Sequence, residues 1–197
     1  MALARQAKIL TKAQQEAVLA YLAKTRNPIR NRVIFLLSVK AGLRAKEIAS
    51  LTWAMVTDAE GKLTDAIALT NAASKGKSGG RVIPLNKELK ASLASLKALA
   101  DKQPSPSAYV ITTERAHRTS SYALVNKFGS WYRELGYTGA SSHSGRRTAI
   151  TSWARRISSV GGSLRDVQIL AGHSALGTTQ RYIEADANAM RRVVEMV

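Results

Sequence analysis

The chain has 197 residues, 45% of them hydrophobic and 22% charged, which fits one domain with an ordinary core and excludes a disordered polymer. Thirty Lys and Arg against thirteen Asp and Glu leave a formal charge of +17, an excess that favours nucleic acid or another polyanion as partner. There is no cysteine, which excludes disulfide frameworks and thiolate chemistry.

Apolar runs such as Val33–Leu37 are far short of the roughly 20 residues a membrane span needs. Residues Met1–Leu10, with Arg5 and Lys8, read as a short basic arm without a secretory apolar core. Thr11-x-x-Gln14 is a capping-box pattern that opens an apolar-periodic helix to about Ala23. Asn27-Pro28 starts a second helix, with Asn as cap and Pro at its first position, and the apolar stretch Val33–Val39 predicts burial on most of its sides. Gly42 ends this helix, and Ala45–Leu51 forms another, short one.

The period then changes. Met55–Thr57, Leu63–Thr70 and Arg81–Leu85 are β-rich or alternating, with turns at Gly61 and at Gly76, Gly79 and Gly80. They predict a small antiparallel three-stranded sheet whose last turn is Ser74–Gly80. Asn86 caps a long amphipathic helix to about Ala100, Gln103–Ser107 is a Pro/Ser loop, and Tyr109–Ile111 is a short strand. From Ser121 onward the pattern is helical: Ser121–Leu135, Ser144–Arg155, Leu164–Ala171, Thr178–Ala185 and Asn188–Met196. The expected fold class is therefore α+β and mainly helical.

Four segments carry chemistry. Ala41-Gly42-Leu43-Arg44-Ala45-Lys46-Glu47 puts Arg44 between a helix stop and a helix start, where it ordinarily serves as a surface residue or as a partner of Glu47. Ser74-Lys75-Gly76-Lys77 places lysines on a Gly-rich turn. Ser142-His143-Ser144-Gly145-Arg146-Arg147-Thr148 sets His143 and Arg146 three apart, on one side of a helix start suited to a phosphate. Leu170-Ala171-Gly172-His173 puts His173 at a turn, with Tyr182 nine residues on. Taken singly, each has a plain structural explanation: a solvated basic helix start, a mobile turn lysine, a packing tyrosine.

Taken together and in order, Gly-Leu-Arg-x-x-Glu, a hairpin Lys, His-x-x-Arg-x-Thr, Gly-His and the later Tyr resemble the tyrosine recombinase (phage integrase) family over nearly the whole chain, from about Thr11. The resemblance is to the catalytic domain alone. It implies a basic arm at 1–10, a catalytic domain at 11–185 and a helical tail at 186–197. Arg44, Lys75, His143, Arg146, His173 and Tyr182 fall on the family's catalytic positions, with Tyr182 as nucleophile. The hairpin is one residue longer than the commonest family spacing, which makes Lys77 the alternative to Lys75. Ala171 and Arg147 stand where the family usually carries an aliphatic residue and often a histidine.

The implied activity is site-specific DNA recombination through a 3′-phosphotyrosine intermediate. A non-catalytic DNA-binding protein of the same fold and a type IB topoisomerase-like enzyme are the alternatives. Arg44 and Arg146 would clamp the phosphate, His173 would be a further donor, His143 would assist proton movement at the nucleophile, and Lys75 would protonate the leaving oxygen. Lys46, Lys77, Arg81, Arg115, Arg118 and Arg147 are the expected DNA contacts. No metal and no cofactor are expected. The expected partner is double-stranded DNA, with a homotetramer on it, in the cytoplasm of a prokaryote or phage host.

Overall fold

The computed structural model describes residues 7–74, 80–100, 103–114, 116–182 and 194–195. The predicted turn lysines lie outside the described residues, as does the predicted helix Asn188–Met196 apart from Val194 and Glu195, which are helical.

Thr11 caps α1 (Lys12–Ala23) as its motif predicts: the hydroxyl accepts from the Gln14 N–H, and the Gln14 side chain accepts from the Thr11 N–H. α2 (Pro28–Val39) begins with the Pro that the sequence places at its first position. The Asn27 side chain does not cap it and donates to Glu114 instead. Every residue from Val33 to Val39 is buried, so α2 is the axis of the fold. It packs against α1, against α4 (Lys87–Ala98) and against α6 (Ser144–Arg156). The short α3 (Ala45–Ala49) rests on α5 (Ser121–Glu134). α7 (Leu164–Ala171) and α8 (Leu176–Gln180) pack on each other near the carboxyl end.

The sheet has two strands among the described residues, not three. β1 (Ala66–Leu69) pairs antiparallel with β2 (Arg81–Pro84), Ala66 opposite Pro84 and Leu69 opposite Arg81. The expected strand at Met55–Thr57 is replaced by a 3₁₀ turn, Trp53–Met55, and only a single bridge joins Thr57 to Leu63. Trp53, Met55 and the adjacent Val56 are all buried, and an extended strand, whose successive side chains face opposite ways, cannot bury two neighbours on one face. Tyr109–Ile111 is likewise reduced to one bridge, between Tyr109 and Thr52. Among the described residues no helix is long and apolar enough to cross a membrane.

The apolar side chains form two separate clusters. The larger joins α1 to α5 and the sheet around Phe35, Leu37, Ile48 and Phe128. The smaller is built on Ile150, Val167 and Ala171, with Trp153, Ile157, Leu164 and Tyr182 packed around them.

Candidate active site

The site assembles where the ends of α2, α6 and α7 meet. Gly145, in the first turn of α6, lies so close to α2 that a Cβ there would stand 2.4 Å from the Ser38 Oγ. This close approach lets α6 start directly on the end of α2. The next residue, Arg146, is 4% exposed. Its Nη1 donates to the Gly42 carbonyl at 2.6 Å, and its Nη2 donates to the Ala171 carbonyl at 2.7 Å and to His173 Nε2 at 3.0 Å. Ala171 ends α7 and Gly42 follows the end of α2, so the buried charge rests against carbonyls at the negative ends of two helices. Burial first, and then the nearby Arg44 charge, lower the Arg146 pKa to about 10, which leaves it charged at neutral pH.

A guanidinium only donates, so His173 Nε2 must accept from Arg146 and the ring proton sits on Nδ1. That Nδ1–H donates to Thr179 Oγ1 at 2.9 Å. Burial, followed by the charges of Arg146, Arg44 and Arg81, pulls the His173 pKa down to about 4. As arranged, His173 is neutral and points no donor outward. The donor role expected of it requires a second proton, which a bound anion would favour. Its backbone is fixed by Gly172, which closes α7 at φ +61, and by Gln168, whose side chain donates to the His173 carbonyl at 2.9 Å.

Arg44 caps α3, and Glu47 reaches back to it. The Arg44 N–H donates to Glu47 Oε2 at 2.8 Å and Nη1 donates to Oε1 at 3.0 Å, while 27% of the Arg44 side chain stays exposed. Glu47 is fully buried. Burial would raise its pKa, but hydrogen bonds and charge from Arg81 and Arg44 outweigh it and hold the carboxyl below the usual range. His143 precedes α6 as its N-cap residue and is exposed, not seated within the first turn. Partial burial and then the charges of Arg146 and Arg44 lower its pKa.

Tyr182 lies just beyond α8, which starts two residues before the expected Thr178 and ends at Gln180; residues 183–185 of the expected helix Thr178–Ala185 lie outside the described residues. The Tyr182 N–H donates to the Thr179 carbonyl at 3.0 Å. Together Ala7, Arg44, His143, Arg146, Arg147, His173, Thr178, Arg181 and Tyr182 line one cleft of about 330 Å³, four guanidiniums with no carboxylate among the lining residues. A larger groove of about 380 Å³, lined by Val39, Trp153 and Ile157 among others, contains none of the sequence-predicted residues.

Five of the six residues singled out for catalysis therefore share the cleft; Lys75, like Lys77 and Arg115, lies outside the described residues. Arg147 lines the cleft, and Lys46 and Arg118 are exposed, Arg118 over the Tyr109 ring at 5.5 Å. Arg81 is different. Expected among the DNA contacts, it is turned inward, 7% exposed, and bound to Glu47. Sequence reasoning missed Thr179 and Gln168, both buried. The Thr178-Thr179 pair before the tyrosine was the available signal, but which hydroxyl faces His173 depends on the turn.

The same fold occurs in solved structures. A Tn1549 transposon integrase in complex with a circular intermediate DNA superposes with a TM-score of 0.75 at 18% identity, covering 98% of this chain and 66% of that one. The XerA recombinase superposes with a TM-score of 0.69 at 20% identity, covering 97% and 65%. By sequence, the chain is 29% identical over 194 residues to tyrosine recombinase XerA of Thermococcus onnurineus, covering 95% of this chain and 62% of the relative. It is 28% identical over 168 residues to tyrosine recombinase XerC of Proteus mirabilis, covering 85% and 51%. The chain thus spans about 62% of the length of the XerA relative. The model of the phage integrase family matches residues 8–189, and the chain belongs to that family.

Proposed function

We propose that this chain is the catalytic unit of a site-specific DNA recombinase that cuts and rejoins strands through a covalent bond to Tyr182. The observation that carries the reading is the convergence of Arg44, Arg146, His143, His173 and Tyr182 on one cationic cleft from stretches far apart in sequence.

The chemistry follows from the residues. The Tyr182 hydroxyl oxygen attacks a backbone phosphorus; an O–P bond to tyrosine forms as the bond from phosphorus to the 5′ oxygen breaks. A free tyrosine has a pKa of about 10, so the phenolate costs about 3 pH units, or roughly 4 kcal/mol, at neutral pH. His143, whose lowered pKa keeps it neutral, takes the phenolic proton. Charge gathers on the two non-bridging oxygens, where Arg44 and Arg146 act; loss of one such fixed donor typically costs about 2.7–4 kcal/mol. Arg146 has three of its five donors committed to Gly42, Ala171 and His173, so it offers the phosphate the remaining two from a fixed position. Lys75, or Lys77, gives a proton to the departing 5′ oxygen. A 5′ hydroxyl of another strand can then reverse the reaction, because the phosphodiester energy is kept in the tyrosyl link.

Under this reading the partner is double-stranded DNA, four copies act together on it, and the setting is a prokaryotic cytoplasm; crosslinking the DNA complex counts the copies. The test of the activity is incubation with a nicked suicide substrate followed by a denaturing gel. A covalent protein–DNA band is expected, and Tyr182→Phe is expected to abolish it. Persistence of the band in that variant overturns the nucleophile. Mobility shift without a covalent band would indicate a binding protein, and relaxation of supercoiled plasmid without strand exchange would indicate a topoisomerase.

A further inference from the structure

Arg81 is the first residue of β2, directly after the segment that carries Lys75 and Lys77. Its guanidinium takes both oxygens of Glu47, Nη1 to Oε1 at 2.9 Å and Nη2 to Oε2 at 3.1 Å, while Nε donates to the Leu170 carbonyl at 3.0 Å. It runs under the terminal turn of α7: a Cβ on Gly172 would stand 2.8 Å from Arg81 Nη1. Leu170 precedes Ala171, whose carbonyl holds Arg146, and Gly172 precedes His173.

Glu47 is therefore shared between two arginines, one inside and one at the cleft. A buried carboxylate demands compensation. With Arg81 satisfying it from below, Arg44 needs to give Glu47 only its backbone N–H and one side-chain nitrogen. Without Arg81 the same carboxylate would draw the whole Arg44 fork inward, because a bidentate ion pair is the stronger arrangement. The bond to Leu170 ties the same side chain to the turn bearing His173. One inward arginine thus sets both the charge that Arg44 presents and the height of His173.

We propose that Arg81 is a positioning residue for the strand-cleavage reaction, holding Arg44 available to the phosphate by occupying Glu47. The proposal rests on the recombinase reading of the same cleft. It has a distinctive signature: removal of Arg81 should be partly repaired by removal of the Glu47 charge. A brace that only supports the fold predicts the opposite, since each loss would add to the other.

The test uses the full chain and its Arg81→Met, Arg81→Lys and Arg81→Met/Glu47→Gln variants. Each is measured for thermal melting, rate of covalent band formation on saturating suicide DNA, and binding of inorganic phosphate followed by the imidazole NMR signals of His143 and His173. Misplacement of about 1 Å can cost about hundredfold in rate. The expected results are cleavage slowed about hundredfold in Arg81→Met, phosphate binding weakened about tenfold, and recovery of at least about tenfold in rate for the double variant. Arg81→Lys, which keeps the charge but not the fork, should fall between and serves if Arg81→Met does not fold. A folded Arg81→Met, or failing it Arg81→Lys, that cleaves and binds phosphate like the parent overturns the proposal. So does a double variant with no recovery. If the parent itself forms no covalent band, the recombinase reading fails, while the phosphate titration still reports whether Arg81 governs Arg44.

Discussion

The imidazole of His173 lies stacked on the phenol ring of Tyr182, with centroids 5.6 Å apart and planes inclined by 23°. Thr179 sets both partners. Its hydroxyl receives the His173 Nδ1–H and its carbonyl receives the Tyr182 N–H, and it is fully buried. One threonine thus fixes the tautomer of one ring and the backbone of the other.

Replacing Thr179 with Val keeps the shape and removes the acceptor. The His173 Nδ1–H would be left buried without a partner, a loss of about 1–3 kcal/mol in folding stability. Urea unfolding measures it. A change below about 0.5 kcal/mol, the range of an indifferent surface substitution, would remove that hydrogen bond from the account.

The depressed pKa of His173 gives stability a definite pH dependence. The unfolded chain binds a proton on this histidine below its ordinary value of 6.5, whereas the folded chain resists until about 4. Between those values the unfolded state holds more protons, so the His173 contribution to stability falls as pH falls through 6.5 and is complete below about 4, where the lowered Glu47 carboxyl carries the decline further. His143, also lowered, acts in the same direction. Denaturant midpoints at a series of pH values should show the loss, and His173→Gln should reduce it to the part that His143 carries. Inorganic phosphate in the cleft should move the His173 titration upward by NMR; a downward or absent shift would argue against an anion beside it.

Gly145→Ala should separate α6 from α2, since the new methyl would meet the Ser38 hydroxyl at 2.4 Å. Overpacking of this kind costs about 1–3 kcal/mol. Because Arg146 follows directly, covalent band formation should slow more than DNA binding weakens. Equal effects on rate and affinity would mean that Arg146 had not moved.

DNA affinity should fall steeply with salt, as phosphate contacts release counterions. Arg118→Ala and Lys46→Ala, both at exposed positions, should each weaken binding across sequences and reduce the logarithmic salt slope by about one. A slope unchanged in either variant takes that residue off the interface.

The parts of this molecule legible in the sequence are those governed by neighbours along the chain. Thr11 with Gln14, Asn86 before α4, and Gly172 after α7 each act within a turn, and the structure has them where the pattern puts them. The pairing of Arg44 with Glu47 is of the same local kind. The failures are equally specific. Trp53 curls the chain into a 3₁₀ turn because it must be buried with Met55 and Val56, and tertiary burial of that sort overrides strand propensity. Arg81 reads as a free surface cation until the fold brings it to Glu47, 34 residues away. Thr179 gains its meaning only from the orientation of His173. Long-range partners of polar side chains are what local pattern cannot supply.

The division of the apolar interior has a consequence for the lifetime of the assembled cleft. Arg44 and Glu47 lie between Leu43 and Ile48 of the larger cluster, whereas Tyr182 and the α7 turn belong to the smaller one, and the two are stitched by the polar bonds of Arg146 and Arg81. Lifting a small cluster exposes little apolar surface, so it requires less free energy than unfolding the whole. The carboxyl-end helices can thus loosen and open the cleft while the body stays intact, and amide exchange should register that partial opening in α7 well before any in α2.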